Sequence, residues 1–487
     1  MKLLHNRINF LYTCAFLFSL LYGIAAILVP LHRFWQYEVF YYDFGIFDTA
    51  LWQLSRFMPP IIDHLALGKA VIFADHMSPT IFLFAPVFWF TSKSEVLLVI
   101  QALAVTMSGW VLFKIGKIIL PNILLSFGIM ISYLLFVGIQ NAIITDFHEV
   151  TVATLPLMLT FWTIAAKKKG WYVLFLILTL GCKESMFTVG LGIGIFLLLI
   201  RQWKRTALLT IFYSIVWGVI TTKFLIPLFS QGIYLYAPQL PNQPLRWITG
   251  FFDEPDKRRT LWYSFRSFSF FPLFAPTTWP LLLSDFAVRF LPKNAELRWT
   301  LGMHYNAVAG VLLAVSSVYG ISALINFLTH IMQKLCVQIS QSFHSSISLS
   351  LYIFVSLFLV FNALYLHQRE LHGPLGLFYN KAFYAHSKDF AFLDALVAKI
   401  PKNASVMTQN NLAVRFTHQT VYLPDMNYHM SKPEYVLLDL RDGQNPNNFF
   451  GSHAKSIWQF VDKLSTDPQY TLITDTSSLQ KIWKWRE

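Results

Sequence analysis

The stretch INFLYTCAFLFSLLYGIAAILVP, Ile8 to Pro30, runs 23 residues without a charged side chain. At about 1.5 Å per residue, a helix of that length crosses the roughly 30 Å hydrocarbon core of a bilayer. Lys2 and Arg7 precede it. The run is longer than a signal-peptide core, and no clear small-x-small cleavage site follows. It reads as a retained signal-anchor helix whose basic flank sets the N-terminus in the cytoplasm. Composition extends this reading to the whole chain. Of 487 residues, 55% are hydrophobic and only 13% are charged, about half the charge of a soluble domain. Disorder, a fibrous repeat and an ordinary cytosolic enzyme are thereby excluded. The net charge of +13 fits cytoplasmic anchoring residues and contacts with membrane lipids, so no nucleic-acid partner is expected. Cys14, Cys182 and Cys336 lie too far apart for a metal spacing or a disulfide framework.

Working outward, the segment from Arg33 to Asp75 carries Asp43, Asp48, Asp63 and Asp75 and is too polar to span, so it is an outer loop. The stretch from His76 to Phe90, broken by Pro79 and Pro86, reads as re-entrant or interfacial. Spans are expected over Glu95 to Phe113, Pro121 to Gln140 and Val150 to Ala166. A short pair, Trp171 to Cys182 and Met186 to Ile200, follows. Thr206 to Phe229, Tyr305 to Thr329 and Ile347 to Leu366 complete the series. The fold class is mainly α: a polytopic transmembrane helical bundle of about 9–11 spans. Lys114, Lys117, the triplet Lys167 to Lys169, Arg201, Lys204, Arg205 and Lys334 fall on one side of this scheme, as the positive-inside rule requires. The acidic clusters fall on the other. The basic loop from about Ser230 to His304 is an exception that its length permits, since long loops translocate regardless of charge.

From Arg369 onward the chain turns polar, with short strand-like runs over 404–407, 420–423, 435–440 and 470–474. Helical spacing appears over 389–399 and 455–464. These predict two domains: a transmembrane domain over 1–368, with outer loops 31–76 and 230–304, and an extracytoplasmic α/β domain over 369–487.

Ionisable groups beside membrane spans are expensive, and each is a functional candidate. The densest group is Tyr41-Tyr42-Asp43-Phe44-Gly45-Ile46-Phe47-Asp48. In a helix, Phe44, Phe47 and Leu51 would form an apolar face able to rest on the membrane. Asp43 and Asp48 are candidate catalytic carboxylates or helix caps. In Asp75-His76-Met77-Ser78-Pro79, Ser78 suits a cap and Pro79 a first turn. His76 then faces the same surface, as a hydrogen-bond partner or a site residue. Asp146-Phe147-His148-Glu149 suits either a divalent metal or a hydrogen-bonded helix start. Lys183 and Glu184 form either a simple ion pair or phosphate-facing and sugar-facing groups. His304 and Tyr305 stand at the mouth of a late span. No nucleotide-binding, zinc-helix or serine-elbow motif is present.

These residues resemble a known family of polytopic membrane proteins, domain of unknown function 2079. The resemblance rests on YYDFGIFDTALWQL (Tyr41 to Leu54), DHMSPTIFLFAP (Asp75 to Pro86), TDFHEVTVATLP (Thr145 to Pro156) and CKES (Cys182 to Ser185). It continues through FFPLFAPTTWPLLLSD (Phe270 to Asp285), HYNA (His304 to Ala307), IPKNASVMTQ and PEYVLLDL. Within Phe286 to Trp299, VRFLPKNAELRW departs from the pattern by being bulkier and more basic. The family is similar to the C-type (GT-C) glycosyltransferase superfamily. That resemblance implies a membrane enzyme moving a sugar from a polyprenyl-phosphate donor at the outer membrane face, with an acidic residue of the first outer loop as base. Asp43 and Asp48 occupy that loop. Beside that base, the polar candidates Tyr42, His76, Asp146, His148, Glu149, Lys183, Glu184, His304 and Tyr305 are expected to contact substrate. Arg258, Arg259 and Arg266 would hold the lipid phosphate or, alternatively, anionic head groups. No cofactor follows, and a divalent metal stays open. The rival from another class is a transporter or flippase of a polar or lipid-linked solute. Transporters favour midplane charges and paired, interrupted spans; here the acids cluster at span ends and no internal repeat is visible. A non-catalytic scaffold is a third reading, against which the acidic first loop speaks.

Overall fold

The computed structural model describes residues 2–62, 70–335, 341–449, 457–476 and 479–486; Asp63 and Cys336 lie outside them. The opening apolar run forms one helix, Lys2–Trp35. Five described helices are long and apolar enough to cross a membrane: Asn9–Trp35, Val96–Ile119, Arg201–Phe229, Asn306–Ile331 and Ser348–Glu370. A sixth crossing is a bent pair, Ile123–Leu135 with Val137–Ile144, which meet at 47°. The bend sits at Phe136, whose ψ of 121° leaves the helical region without a proline. The expected short pair appears as Lys169–Leu180 and Met186–Leu198, and the span expected over Val150 to Ala166 is also a shorter helix, Glu149–Ala165, each of 10–17 residues. They are shorter than the about 20 residues a crossing needs. Long helices alone therefore number five or six, and 9–11 is approached only by counting the short ones. Pro79–Trp89 is a short 3₁₀ segment, as its two prolines foreshadowed. This is an integral, multi-pass membrane protein.

Helix Asn306–Ile331 is the axis of the bundle. It buries 78% of its most apolar window, against 28% for Arg201–Phe229 and Ser348–Glu370, whose apolar side chains face outward.

The C-terminal region forms one five-stranded sheet in the order β2-β1-β3-β5-β4. Its strands are β1 (Val406–Thr408), β2 (Val421–Tyr422), β3 (Tyr435–Asp439), β4 (Tyr470–Asp475) and β5 (Gln480–Trp485). Four of these were legible in the sequence; β5 was not. β1 runs parallel to β2 and β3, while β5 pairs antiparallel with β3 and β4. The sheet is continuous with the membrane-proximal part through one apolar core. Phe44, Phe47, Ala50 and Leu51 of the first loop pack with Leu393, Val406, Leu412 and Leu437. This corrects the expectation that the Phe44–Leu51 face rests on the membrane: C-terminal side chains cover it, and Phe44 and Leu51 are fully buried.

Candidate active site

The first loop enters its helix through a wide turn, Tyr41–Gly45, that leads into helix Ile46–Ser55. Gly45 permits that turn, because a Cβ there would run into the Tyr41 ring. Asp43 sits in the first turn with 42% of its side chain exposed. Its Oδ1 lies 3.6 Å from Nε2 of His148, whose side chain is 4% exposed.

His148 is fixed from three sides. Its Nδ1 donates to the carbonyl of Thr145 at 2.8 Å, which leaves Nε2 toward Asp43. Its backbone N–H donates to Oε1 of buried Gln101 at 2.8 Å. The Gln101 amide in turn donates to the Asp146 carbonyl at 2.6 Å and the Ile143 carbonyl at 3.1 Å. One glutamine on helix Val96–Ile119 thus clamps the whole acidic turn. Finally, the His304 ring stacks on His148 with centroids 3.5 Å apart, and Tyr305 lies 4.0 Å beyond His304.

The electrostatics of the stack are asymmetric. Burial pushes His148 down, but the Asp43 carboxylate pushes it up and wins. Burial and the neighbouring His148 and Lys183 drive His304 well below the ordinary histidine value. Loss of surrounding water pushes Asp43 up, yet His148, Lys183 and His76 outweigh it and hold the carboxyl below its ordinary range. The charged form of the accessible Asp43 carboxylate is thus favoured, and the two stacked imidazoles are shifted in opposite directions.

Lys183 and Glu184 do not pair with each other, which corrects the hairpin ion-pair expectation. Lys183 Nζ bridges to Glu149 Oε1 at 2.6 Å, and Glu184 Oε1 meets His76 Nδ1 at 3.0 Å. Glu184 also accepts from the backbone of Met77 at 3.1 Å and the Tyr234 hydroxyl at 3.0 Å. Although burial pushes Glu184 up, His76 and Lys183 bring it down to about 2. Pro79 occupies the first turn as expected, but the Ser78 hydroxyl makes no cap bond. Asp146 turns away from His148 to accept from the Phe40 N–H at 3.3 Å, with its own φ at +45°. Burial and then Asp43 raise its carboxyl to about 7. Asp146, His148 and Glu149 therefore aim at three different partners. Among the described residues no group of three or more His, Cys, Asp or Glu is arranged to hold a metal.

A family model described as predicted membrane protein (DUF2079) matches residues 33–479. The chain belongs to that family. No curated protein matches the chain. The DUF2079 chain is similar at 9% identity to the crystal structure of ArnT from Cupriavidus metallidurans bound to undecaprenyl phosphate. That likeness has a TM-score of 0.49 and covers 96% of this chain and 97% of the other. The apo form of ArnT gives 0.47 at 9% identity, over 96% and 98%.

In this DUF2079 protein the other predicted site residues are dispersed. Asp48 is fully buried and accepts from the Thr417 hydroxyl, with His418 Nε2 at 3.2 Å. It faces the C-terminal sheet region, apart from the His148 cluster. The backbone N–H of Tyr42 donates to Asn410 Oδ1 at 2.9 Å. Arg266 pairs with Glu370 at 2.6 Å, Arg258 donates to the Phe252 carbonyl at 2.6 Å, and Arg259 lies over the Tyr263 ring. The arginines that approach the cluster are others. Lys183, Glu184, Tyr234, Arg289, Arg298 and Tyr305 share one small pocket whose remaining walls are largely apolar. Arg298 lies over the Tyr305 ring at 5.5 Å. Both arginines belong to the basic stretch Val288–Trp299 that departs from the family pattern, which was the available signal. Helix Trp279–Phe290 separates this pocket from a second cavity. Asp285 and Arg289 line the pocket, while Leu282, Leu283 and Phe286 line an apolar groove of about 830 Å³ that has Arg258 among its walls.

Proposed function

We propose that the protein is an integral-membrane glycosyltransferase that moves a sugar from a polyprenyl-phosphate donor to an acceptor hydroxyl. The observation that carries this reading is Asp43: an accessible, ionised carboxylate braced by buried His148, beside a pocket holding Lys183 and Arg298. Such a carboxylate serves as general base. As the acceptor oxygen attacks the anomeric carbon, Asp43 takes its proton. The bond from that carbon to the phosphate oxygen breaks, and the polyprenyl phosphate departs with the electron pair. Lys183 and Arg298 meet the charge that develops on the leaving phosphate. Arginine suits that role through its planar donor fork. The isoprenoid tail lies in the apolar groove with Arg258 at its wall, so that Arg258, rather than Arg259 or Arg266, keeps a part in lipid binding.

The site opens on the outer face of the cytoplasmic membrane in this reading, with the N-terminus inside and the C-terminal α/β domain outside. A reporter fused at the C-terminus should read outside and one inserted after Lys168 inside. For the chemistry, proteoliposomes of the full chain are given a labelled polyprenyl-phosphate sugar and a mixture of envelope glycan acceptors. Release of polyprenyl phosphate with label moving to the acceptor supports transfer. Donor translocation across the bilayer without bond cleavage would replace it with a flippase.

A further inference from the structure

The turn that carries Asp43 lacks a cap of its own. Phe40 stands at the N-cap position, and its side chain makes no cap bond. The first N–H groups of a helix have no carbonyl one turn earlier to bond. An Asn, Asp, Ser or Thr at the N-cap ordinarily supplies one, and its loss costs about 0.5–2 kcal/mol. Here the acceptor comes from the far end of the chain. Asn410, buried at the carboxyl end of β1, accepts the Tyr42 N–H on Oδ1 at 2.9 Å. Its Nδ2 donates to the Asn447 carbonyl at 2.9 Å, so its orientation is fixed from behind. A second stitch lies beside it, where Asn445 Nδ2 donates to Glu38 Oε2 at 3.2 Å.

We infer that Asn410 is a positioning residue: from the short helix Asn410–Ala413 that follows β1, it caps the distant first-loop helix of the same chain and thereby sets the distance between Asp43 and His148. The capped N–H belongs to the residue immediately before Asp43. Sliding of this turn therefore moves the carboxylate directly, while His148 stays clamped by Gln101 and Thr145. The inference rests on the placement of Asp43 in the site and not on the identity of the substrate.

The test follows the His148 ring by NMR of histidine-labelled full-length protein in nanodiscs, with His148→Gln giving the assignment. The His148 ring meets Asp43 and His304 directly, and Glu149 and Asp146, aimed elsewhere, act on it through their charge. Asp43→Asn should lower the His148 titration midpoint by about 1 pH unit, the usual size for loss of an opposite charge at this range. Asn410→Ala should lower it in the same direction by at least half as much. Asn410→Asp, which keeps an oxygen facing Tyr42, should hold the midpoint at or above the wild-type value. Asn410→Ser, too short to reach, replaces the Ala variant should that not fold. A wild-type midpoint in Asn410→Ala or Asn410→Ser would overturn the inference, whatever happens to melting. An equal fall in Asn410→Asp would overturn it too, because the acceptor oxygen would not matter. No change in Asp43→Asn would remove the pairing itself.

Discussion

Asp43 and Asp48 lie five residues apart, each facing a histidine, yet their surroundings are opposite. Asp48 is sealed: no part of it is exposed, Thr417 and His418 hold it, and His418 stacks on Trp52 at 3.9 Å. Asp43 has 42% of its side chain open, and its histidine stands 3.6 Å away, beyond hydrogen-bond length. One carboxylate has used its environment to join two parts of the chain. The other stays approachable beside its histidine. A proton acceptor must reach its substrate, so exposure is what favours Asp43 over Asp48 in the proposed role of base.

The deepest charge pair supporting the open site should break most heavily. Lys183→Met leaves Glu149 buried and uncompensated, and removal of one member of a buried pair costs about 3–5 kcal/mol. Thermal unfolding in detergent should show the largest drop of any variant here; an unchanged Tm would mean that the pair is not closed. On the sealed side, Asp48→Ala leaves the Thr417 hydroxyl and His418 without their acceptor, at about 1–3 kcal/mol. The loss should appear as earlier release of the C-terminal region in limited proteolysis.

The two parts were unequally legible in the sequence. Asp43, His148, Glu149, Lys183, Glu184 and His304 stood out because charged or titratable groups amid apolar runs need a reason, and the structure gathers them. Gln101 gave no such signal, being a single neutral amide within a span. Asn410, Thr417 and His418 act from more than 360 positions away, and periodicity reports only local spacing. The wrong surroundings for the Phe44–Leu51 face have the same origin: an apolar stripe announces burial without saying against what. The helices Lys169–Leu180 and Met186–Leu198 were legible as a short apolar pair, whereas the failure of Glu149–Ala165 to reach full crossing length was not.

Proton linkage sharpens the contrast next. His148 is raised in the folded state, so its contribution is full below about 6.5 and fades as pH rises through its folded value. Asp43 is depressed, so its contribution is present above about 3.9 and is lost as pH falls through its folded value. Stability from the pair should therefore form a plateau between these limits, and Asp43→Asn should erase both edges in a Tm-versus-pH profile. Edges that persist in that variant would assign them to other groups. The smallest loss is expected at Asp146, whose carboxyl is pushed up to about 7 by burial and then by Asp43. Asn there keeps the acceptor for Phe40 and tolerates the left-handed backbone. Asp146→Asn should match wild type near pH 4 and gain on it as pH rises toward 7, because a carboxyl raised by folding loses stability above its unfolded value of about 3.9. A large loss at pH 6 would show that the acid itself is required.

The most direct measurement sets Asp43→Asn and Asp48→Asn side by side in proteoliposomes, reading sugar transfer from a polyprenyl-phosphate donor and melting on the same preparations. At a pH above the folded His148 titration, where the pair no longer contributes, Asp43→Asn should melt like the wild type while transfer falls by about 10²–10⁴-fold; Asp48→Asn should melt earlier and retain transfer while folded. Wild-type transfer by Asp43→Asn, or a normally melting Asp48→Asn without activity, would contradict the assignment of the open carboxylate as the base.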